Sequence, residues 1–382
     1  MIDTKIQDIR RDFPVLAKKV YLDTASTGPF NRKIYAAARR AYDQRLEDGL
    51  SISSYQGWVE AADKARRDIA AVFNAEPDEI AYTKNASEGT NFAARLIPFK
   101  PGDNVVIPDI SFPSSSYAFM NLHQKGVAVK WVPSKNGLIP VEEMLGYVDE
   151  RTRAISVSHV EYASGFAHDL DQIGQFCSER GIILHVDCTQ SIMALKIDVK
   201  KSRISMMSSA VYKWPCCPLG VGFFYCSKDL FDHISPESVG WFGMLDRFEM
   251  PHPPERMSLA PSARCFETGS PNFAGIFAMR EAARVYRDMD PSAIEERILA
   301  LNGYLLNKLL EAGIDVMGPC PECNRSGILY ASFPYEGKLG EILQKENIQI
   351  NLGGGKARIS THYFNTREDI DRLIEAVKEA RG

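Results

Sequence analysis

Residues 208–222 have the sequence S-S-A-V-Y-K-W-P-C-C-P-L-G-V-G, which sets one lysine, Lys213, among apolar, aromatic and small side chains. No aspartate or glutamate occurs between residues 199 and 228, so no neighbour in sequence balances its charge. Burial disfavours the charged form of a lysine and lowers its pKa, and a neutral amine can act as nucleophile or base. We therefore expect Lys213 to carry chemistry. A side chain that extends to the surface is the alternative.

The composition is typical of a globular protein that acts on small molecules. The chain has 382 residues, of which 45% are hydrophobic and 25% charged, and its formal net charge is -4. This balance, without a long basic run, argues against nucleic acid as a partner. No apolar stretch is long enough to span a membrane, and the first residues are charged and amphipathic, unlike a signal peptide. We expect a cytoplasmic protein without a membrane partner.

The eight cysteines are scattered mostly through apolar segments, which favours reduced thiols over a disulfide framework. Cys320 and Cys323 form a lone C-x-x-C pair. A structural zinc would need a second pair or histidines at matching spacing, and none follows, so we predict no metal. Cys216 and Cys217 are expected to pack as small apolar groups.

Short apolar runs alternate with helical segments through the first two-thirds of the chain. This alternation predicts an α/β fold, with a mainly parallel sheet covered by helices on both faces. Ligands of such sheets bind beyond the carboxyl ends of the strands, so we expect the chemistry just after the runs. The runs are 79–83, 104–107, 127–132, 154–158, 182–187 and 221–226, and the helical segments include 59–73, 114–124, 140–147 and 169–180.

The pattern changes after about residue 270 to long amphipathic helices and a strand, which predicts a smaller α+β unit. Proline and glycine concentrate at 251–254 and 261–271, which indicates a boundary there. The predicted divisions are an N-terminal segment at 1–20 that packs with the small domain, a large domain at 21–265 and a small C-terminal domain at 266–382.

Two further polar clusters follow predicted strands. K-N-A-S-E-G-T-N at 84–91 opens a helical segment, where we expect Ser87 to cap the helix. Free N–H groups and the dipole of a helix start form an anion seat, worth ~0.3–1 kcal/mol per interaction. H-V-D-C-T-Q at 185–190 ends a run with Asp187, whose burial requires a facing cation or donor. An ordinary helix cap is the alternative role of each cluster.

An anion seat, a carboxylate for a ring cation and a nucleophilic lysine, in this chain order, describe a cradle for pyridoxal 5'-phosphate (PLP). The chain resembles the class V aminotransferase family of fold type I PLP-dependent enzymes, which includes cysteine desulfurases and isopenicillin N epimerase-like proteins. The resemblance is carried by Y-L-D-T-A-S-T-G-P (21–29), N-A-S-E-G-T-N (85–91), S-H-V-E-Y-A-S-G (158–165), V-D-C-T-Q (186–190), Y-K-W-P-C-C-P-L-G-V-G (212–222), R-C-F-E-T-G-S-P-N-F-A-G-I (264–276) and R-I-S-T-H-Y-F-N-T-R-E-D-I-D (358–371).

The resemblance implies a role for individual residues. Lys213 would hold PLP as an internal aldimine and remove the α-proton of an amino acid, Asp187 would pair with the pyridine nitrogen, and Gln190 would reach the ring hydroxyl. Arg358 would bind the substrate carboxylate in a planar bidentate pair, with a structural salt bridge as the alternative. The other implied positions are Ser87 and the N–H groups around Ala86 and Glu88 at the phosphate, Ser270 contributed by the other subunit of a homodimer, Phe112 stacked on the cofactor and Tyr162 near the ring hydroxyl.

The resemblance leaves the reaction open among several classes. Persulfide-forming desulfurases need a cysteine shortly before the arginine motif, whereas this chain has N-I-Q-I-N-L-G-G-G-K-A-R at 347–358 and no cysteine between 324 and 382. We therefore expect C–S β-elimination without that cysteine, with Cys216 or Cys217 left open as a substitute thiol. Transamination and epimerisation are alternatives. A non-catalytic binding protein that retains the fold is another, while the missing G-x-G-x-x-G argues against a nucleotide-dependent oxidoreductase.

Overall fold

The structure is a computed structural model that describes residues 2–233, 235–249, 256–318 and 322–382. The helices are α1 (Ile2–Arg11), α2 (Arg32–Asp48), α3 (Ile52–Ala70), α4 (Ala86–Leu96), α5 (Pro113–Met120), α6 (Val141–Leu145), α7 (Leu170–Arg180), α8 (Phe273–Asp288), α9 (Pro291–Glu311), α10 (Glu336–Lys345) and α11 (Arg367–Arg381). The strands are β1 (Val20–Tyr21), β2 (Ile80–Thr83), β3 (Asn104–Pro108), β4 (Ala128–Val132), β5 (Thr152–Ser158), β6 (Ile183–Asp187), β7 (Met206–Ala210), β8 (Gly222–Cys226), β9 (Ile328–Ser332), β10 (Ile348–Gln349), β11 (Asn351–Gly353) and β12 (Lys356–Ser360).

A seven-stranded sheet holds the larger part of the chain together, in the order β2-β8-β7-β6-β5-β3-β4. Strand β8 runs antiparallel to both of its neighbours, and the other adjacent pairs are parallel. Strands β2, β3, β7 and β8 are buried along their whole length, as expected of a sheet covered on both faces. The predicted α/β class is confirmed, and every predicted run lies in this sheet.

The sequence analysis missed β7, because two serines interrupt the apolar pattern of M-M-S-S-A. Both Ser208 and Ser209 are completely buried. Hydrogen bonds satisfy their hydroxyl groups, since the Ser208 hydroxyl contacts Thr90 and His185 and that of Ser209 donates to the carbonyl of Ala210. A strand can therefore bury serine in place of an apolar residue when partners are available.

The strand ends place the functional motifs at one edge of the sheet. Strand β5 ends at Ser158, β6 ends at Asp187 and β7 ends at Ala210, shortly before Lys213. Strand β2 leads directly into the N-terminus of α4. Because these strands run in the same direction, the residues that follow them meet at their carboxyl ends.

A three-stranded antiparallel sheet, β11-β12-β9, forms a second unit with its own hydrophobic cluster. Strand β1 pairs in parallel with β10, and Nη1 of Arg10 in α1 lies 2.8 Å from Oδ2 of Asp369 in α11. The N-terminal segment thus contacts the C-terminal part of the chain. The division into three segments stays a prediction, and its proline-rich stretch at 251–254 lies outside the described residues.

Every described cysteine is a free thiol, and Cys320 of the C-x-x-C pair lies outside the described residues. Within the described ranges, no cluster of three or more histidine, cysteine or acidic side chains could hold a metal ion. No helix in the same ranges is long and apolar enough to cross a membrane. The cytoplasmic location stays a prediction.

Candidate functional site

A cavity lies at the carboxyl edge of the central sheet, between the residues that follow β2, β3, β5, β6 and β7. It brings together positions that are far apart in sequence because the topology of the sheet places these strand ends side by side. The predicted residues that line it are Ala86, Ser87, Phe112, Tyr162, Asp187, Gln190 and Lys213. The predicted Glu88, Ser270 and Arg358 lie outside its lining.

Lys213 is 9% exposed. Burial lowers the pKa of its ammonium group from the ordinary 10.5 to about 8, and the positive charge of Arg358 acts in the same direction. Its Nζ lies 5.8 Å from the ring centroids of Phe112 and Tyr212. A Cβ on Gly28 would lie 2.0 Å from the Lys213 carbonyl oxygen, so only glycine lets that loop pack against the lysine.

Asp187 ends β6 and is buried in the cavity wall. Its Oδ2 accepts a hydrogen bond from the Ser115 hydroxyl at 3.0 Å, and its Oδ1 accepts one from the Thr189 N–H at 2.9 Å. These donors offset part of the free energy that burial of a carboxylate costs. The negative charge also favours the protonated form of Lys213, against the larger effect of burial. The hydroxyl of Ser115 and the N–H of Thr189 are donors of the kind that we expected to face Asp187.

The side-chain amide of Gln190 bridges two other parts of the cavity wall. Its Nε2 donates to the Ala25 carbonyl at 3.0 Å, and its Oε1 accepts from Nε1 of Trp214 at 3.0 Å. An amide nitrogen carries two hydrogens, so one donor of Gln190 remains for a ligand. The amide is therefore held in a fixed orientation beside Lys213.

The start of α4 differs from the prediction in one respect. Asn85, and not Ser87, is the N-cap, and its side chain accepts the Glu88 N–H at 2.9 Å. Asn85 has the extended backbone of an N-cap residue, whereas Ser87 lies inside the first turn of the helix and lines the cavity wall. The N–H groups of Ala86 and Ser87 belong to the first turn and have no partner within a helix. These N–H groups and the Ser87 hydroxyl could donate hydrogen bonds to an anion in the cavity.

Two other predicted phosphate positions lie outside the cavity of Lys213. The Glu88 N–H already donates to Oδ1 of Asn85, and the Glu88 carboxylate accepts from the Lys84 N–H at 2.7 Å and lies 3.2 Å from Nζ of Lys84. The Ser270 hydroxyl lies 2.8 Å from the hydroxyl of Tyr55. Both Glu88 and Ser270 line a separate surface cavity. Within one subunit, therefore, neither side chain reaches the lysine.

Phe112 and Tyr162 form an aromatic pair at the cavity. Their ring centroids lie 5.1 Å apart and their planes are at 89°, an edge-to-face contact. Phe112 precedes α5, where it is the N-cap residue and 43% exposed. The pair provides an apolar wall against which a flat ligand could stack.

Arg358 lies on β12 beside the cavity and is buried. Its Nη2 donates to the Ser26 hydroxyl at 2.6 Å, and Nδ2 of Asn351 donates to the same oxygen at 3.0 Å. Nε of Arg358 is buried and has no hydrogen-bond partner among the described residues. The Ser26 oxygen thus lies where the donors of Arg358 and Asn351 converge. Nε of Arg358 remains available as a further donor to a ligand.

The sequence analysis did not single out several residues of the site. Asp23 lies within the motif at 21–29 and Thr189 within the motif at 186–190. Membership of these motifs was the signal that could have identified both residues. Burial raises the pKa of the Asp23 carboxyl, while a hydrogen bond from Ser26 and the charge of Arg358 oppose the rise. Ser115 gave no signal, since the adjacent serines of S-F-P-S-S-S are equivalent in sequence.

The arrangement combines the groups that a phosphorylated aldehyde with a basic ring would require. A helix start offers N–H donors to an anion, a buried carboxylate can face a ring cation, and an amine of lowered pKa lies between aromatic rings. An arginine with an unused donor lies next to them. The described residues therefore fit PLP both in their charges and in the order in which they occur along the chain.

Comparison with known proteins supports this interpretation. The family model described as "Aminotransferase class-V" matches residues 20–373. A protein of Methanothermobacter thermautotrophicus named "Probable cysteine desulfurase" is 29% identical over 408 residues, which cover 100% of both chains. A Bacillus subtilis protein named as an uncharacterized aminotransferase is 25% identical over 374 residues and 97% of each chain.

A solved structure shares the fold at lower identity. It is the complex of a cystine C–S lyase with its reaction product, cysteine persulfide. The TM-score is 0.88 at 20% identity, with 96% of this chain and 99% of that chain covered. This likeness establishes the fold of the present chain.

Replacement of Arg358 by glutamine should raise the pKa of Lys213, because one of the two effects that lower it is removed. The fraction of neutral amine at a given pH then falls, so reaction of Lys213 with trinitrobenzenesulfonate should shift to higher pH. The measurement is peptide mass mapping of the ligand-free protein across a pH series. Arg358→Lys keeps the positive charge and should leave the profile in place. An unmoved profile in Arg358→Gln would contradict the electrostatic coupling.

Proposed function

We propose that this chain, which belongs to the class-V aminotransferase family, cleaves the carbon–sulfur bond of a cysteine-derived amino acid. Members of this family are PLP-dependent enzymes, and the chain is one of them. The named desulfurase relative and the fold shared with a C–S lyase support sulfur chemistry. The observation that carries the proposal is a buried amine of lowered pKa beside an arginine, at a site whose nearby cysteines are neutral thiols.

The cavity residues provide for each part of the cofactor. Ala86 and Ser87 would bind the phosphate through N–H groups and a hydroxyl, and Asp187 would keep the ring nitrogen protonated. Gln190 would use its remaining amide hydrogen at the ring hydroxyl, near Tyr162. Phe112, Tyr162's partner in the aromatic pair, would cover the ring face. PLP, when bound there, supplies a sink for the electrons released at the substrate α-carbon.

Lys213 is the proposed base. With a pKa near 8, its amine is partly neutral at physiological pH and can accept the α-proton at Nζ. A positioned base of this kind contributes roughly 10²–10⁴-fold to rate. The same Nζ then carries the proton that the departing sulfur requires. The balanced reaction for cysteine is cysteine plus water to pyruvate, ammonia and hydrogen sulfide.

Arg358 is the proposed anchor of the substrate carboxylate. Its Nη2 contacts the Ser26 hydroxyl, and its Nε has no partner among the described residues. An incoming carboxylate could accept from both nitrogens in a planar bidentate pair and displace the contact to Ser26. Such an anchor would fix the α-carbon beside Nζ of Lys213, which favours α-amino acids over simple amines.

The cysteines of the site support direct release of sulfur. Strands β11 and β12 form a tight hairpin in the segment before Arg358, with glycines at its turn and no cysteine. Cys216 and Cys217 are buried, and desolvation raises the pKa of both thiols far above neutral. A neutral thiol is a poor nucleophile, so neither is suited to accept a persulfide. Sulfur would leave the site without passing through Cys216 or Cys217.

Transamination is the second candidate. The aminotransferase relative, which matches along nearly the whole chain, favours it, and the same lysine and arginine would serve it. It differs from elimination in requiring a keto acid to complete the cycle. Epimerisation and ligand binding without turnover are further outcomes that the following experiment distinguishes.

The holoenzyme should convert L-cysteine or L-cystine into pyruvate and ammonia without an added keto acid, because elimination needs only water. Lys213→Ala should lower this rate roughly 10²–10⁴-fold, while Cys216→Ala/Cys217→Ala should release sulfide from L-cysteine at the wild-type rate. Coupled assays of pyruvate, ammonia and sulfide measure these rates. Turnover only in the presence of a keto acid would assign the chain to the aminotransferases instead. Inversion of the substrate α-carbon without formation of pyruvate would assign it to the epimerases.

Ser270 also supports a homodimeric enzyme. It lies outside the cavity of its own subunit and, with Glu88, lines a surface cavity that a second copy could complete. In such a dimer, Ser270 of one subunit would reach the phosphate at Ala86 and Ser87 of the other.

A mixture of Lys213→Ala and Ser270→Ala subunits should therefore regain one intact site per mixed dimer. Ser270→Ala alone should bind PLP more weakly than wild type, because a phosphate donor is lost. After subunit exchange, a PLP titration should show a population of wild-type affinity. Sedimentation of the wild type as a monomer, or exchange without recovery, would contradict contribution from the partner.

A further inference from the structure

A continuous line of hydrogen bonds runs through the interior from β5 to the start of α4. The Ser156 hydroxyl lies 2.9 Å from Nδ1 of His185, and Nε2 of His185 lies 3.1 Å from the Ser208 hydroxyl. That hydroxyl lies 3.0 Å from the hydroxyl of Thr90, which donates to the Ala86 carbonyl at 3.1 Å. Ser156, His185, Ser208 and Thr90 are each no more than 1% exposed. We call these four side chains the buried chain.

Only one set of proton positions makes all of these contacts hydrogen bonds. The single proton of Thr90 goes to the Ala86 carbonyl, so Thr90 must accept from Ser208. Ser208 must then accept from Nε2–H of His185, and Nδ1 of His185 accepts from Ser156. Burial lowers the pKa of His185 to about 4, so its imidazole is neutral and has one donor and one acceptor, as this order requires.

Close packing between α4 and β7 makes this order sensitive to position. A Cβ on Gly89 would lie 2.8 Å from Cβ of Ser208 and 3.5 Å from Cβ of Phe224. Glycine at 89 therefore lets the first turn of α4 approach the sheet directly. At this distance the hydroxyl of Thr90 meets that of Ser208 without an intervening water. The start of α4 is thus tied to Ser208 of β7 both by packing at Gly89 and by the hydrogen bond of Thr90.

The buried chain connects both ends of the proposed cofactor site. His185 lies on β6 two positions before Asp187, so the two side chains point to the same face of the sheet. Thr90 lies on α4 one turn after Ala86 and fixes the carbonyl of that residue. The strand that presents the ring carboxylate and the helix that presents the phosphate donors are therefore joined through His185, Ser208 and Thr90.

We propose that Thr90, Ser208 and His185 are positioning residues that hold the first turn of α4 in register with β6, and so aim the N–H groups of Ala86 and Ser87 at the cofactor phosphate. This inference rests on the proposed function, since it requires PLP at that turn. None of the three side chains lines the cavity. Their effect on cofactor affinity therefore acts through the N–H groups at the start of α4, and it should be specific to the phosphate group.

The test compares Thr90→Val with Thr90→Ser in apoenzyme prepared from the purified holoenzyme. Valine keeps the shape of threonine but lacks the hydroxyl, whereas serine keeps the hydroxyl. The measurement is the Kd for PLP and for pyridoxal, which lacks the phosphate, by fluorescence titration. Thr90→Val should weaken PLP binding about tenfold, because it removes the hydroxyl that joins Ser208 to the Ala86 carbonyl, and it should leave pyridoxal binding unchanged. Thr90→Ser should match wild type for both ligands.

Ser208→Ala provides a second break at the centre of the buried chain and should show the same selective loss of PLP affinity. In histidine-labelled wild type, ¹⁵N spectra should show the proton of His185 on Nε2, and Ser208→Ala should perturb that signal. Equal weakening of PLP and pyridoxal in Thr90→Val, or no change in either, would overturn the inference while the proposed function stands. Wild-type apoenzyme that binds no PLP would instead reject the proposed function, and this inference with it.

Discussion

The burial of one amine is the constraint on which the rest of the site depends. Lys213 lies after β7 among aromatic rings, where desolvation and the charge of Arg358 lower its pKa and the charge of Asp187 opposes them. The opposing charge is weaker than burial, so the amine is partly neutral near physiological pH. Fold elements that bring Asp187, Arg358 and the loop at Gly28 to this point therefore also set the reactivity of the lysine.

Much of the fold and the site could be predicted because the signals are local. Each apolar run that precedes a motif forms a strand of the central sheet, and parallel strands bring the motifs to one edge. The exceptions have physical causes. Strand β7 was missed because Ser208 and Ser209 are buried with hydrogen-bond partners that only the fold supplies. The cap of α4 was assigned to Ser87 because the sequence does not decide whether Asn85 or Ser87, two positions apart, has the extended backbone of an N-cap residue.

Other features could not be predicted because they depend on contacts distant in sequence. The amide of Gln190 is held between Ala25 and Trp214, and Arg358 meets Ser26 across more than three hundred residues. No pattern within a motif encodes such pairs. Ser270 illustrates a further limit, since its proposed partner belongs to a second subunit. Sequence therefore indicated which chemical groups the site uses, while the structure determines which donors remain available to a ligand.

The account depends most directly on a covalent bond between Lys213 and PLP. Borohydride reduction of the purified holoenzyme, followed by mass spectrometry of its peptides, tests this claim. The account predicts a phosphopyridoxyl group on the peptide that contains Lys213, and none in Lys213→Ala. A folded wild-type protein that binds PLP but carries the label on another lysine, or on none, would contradict it.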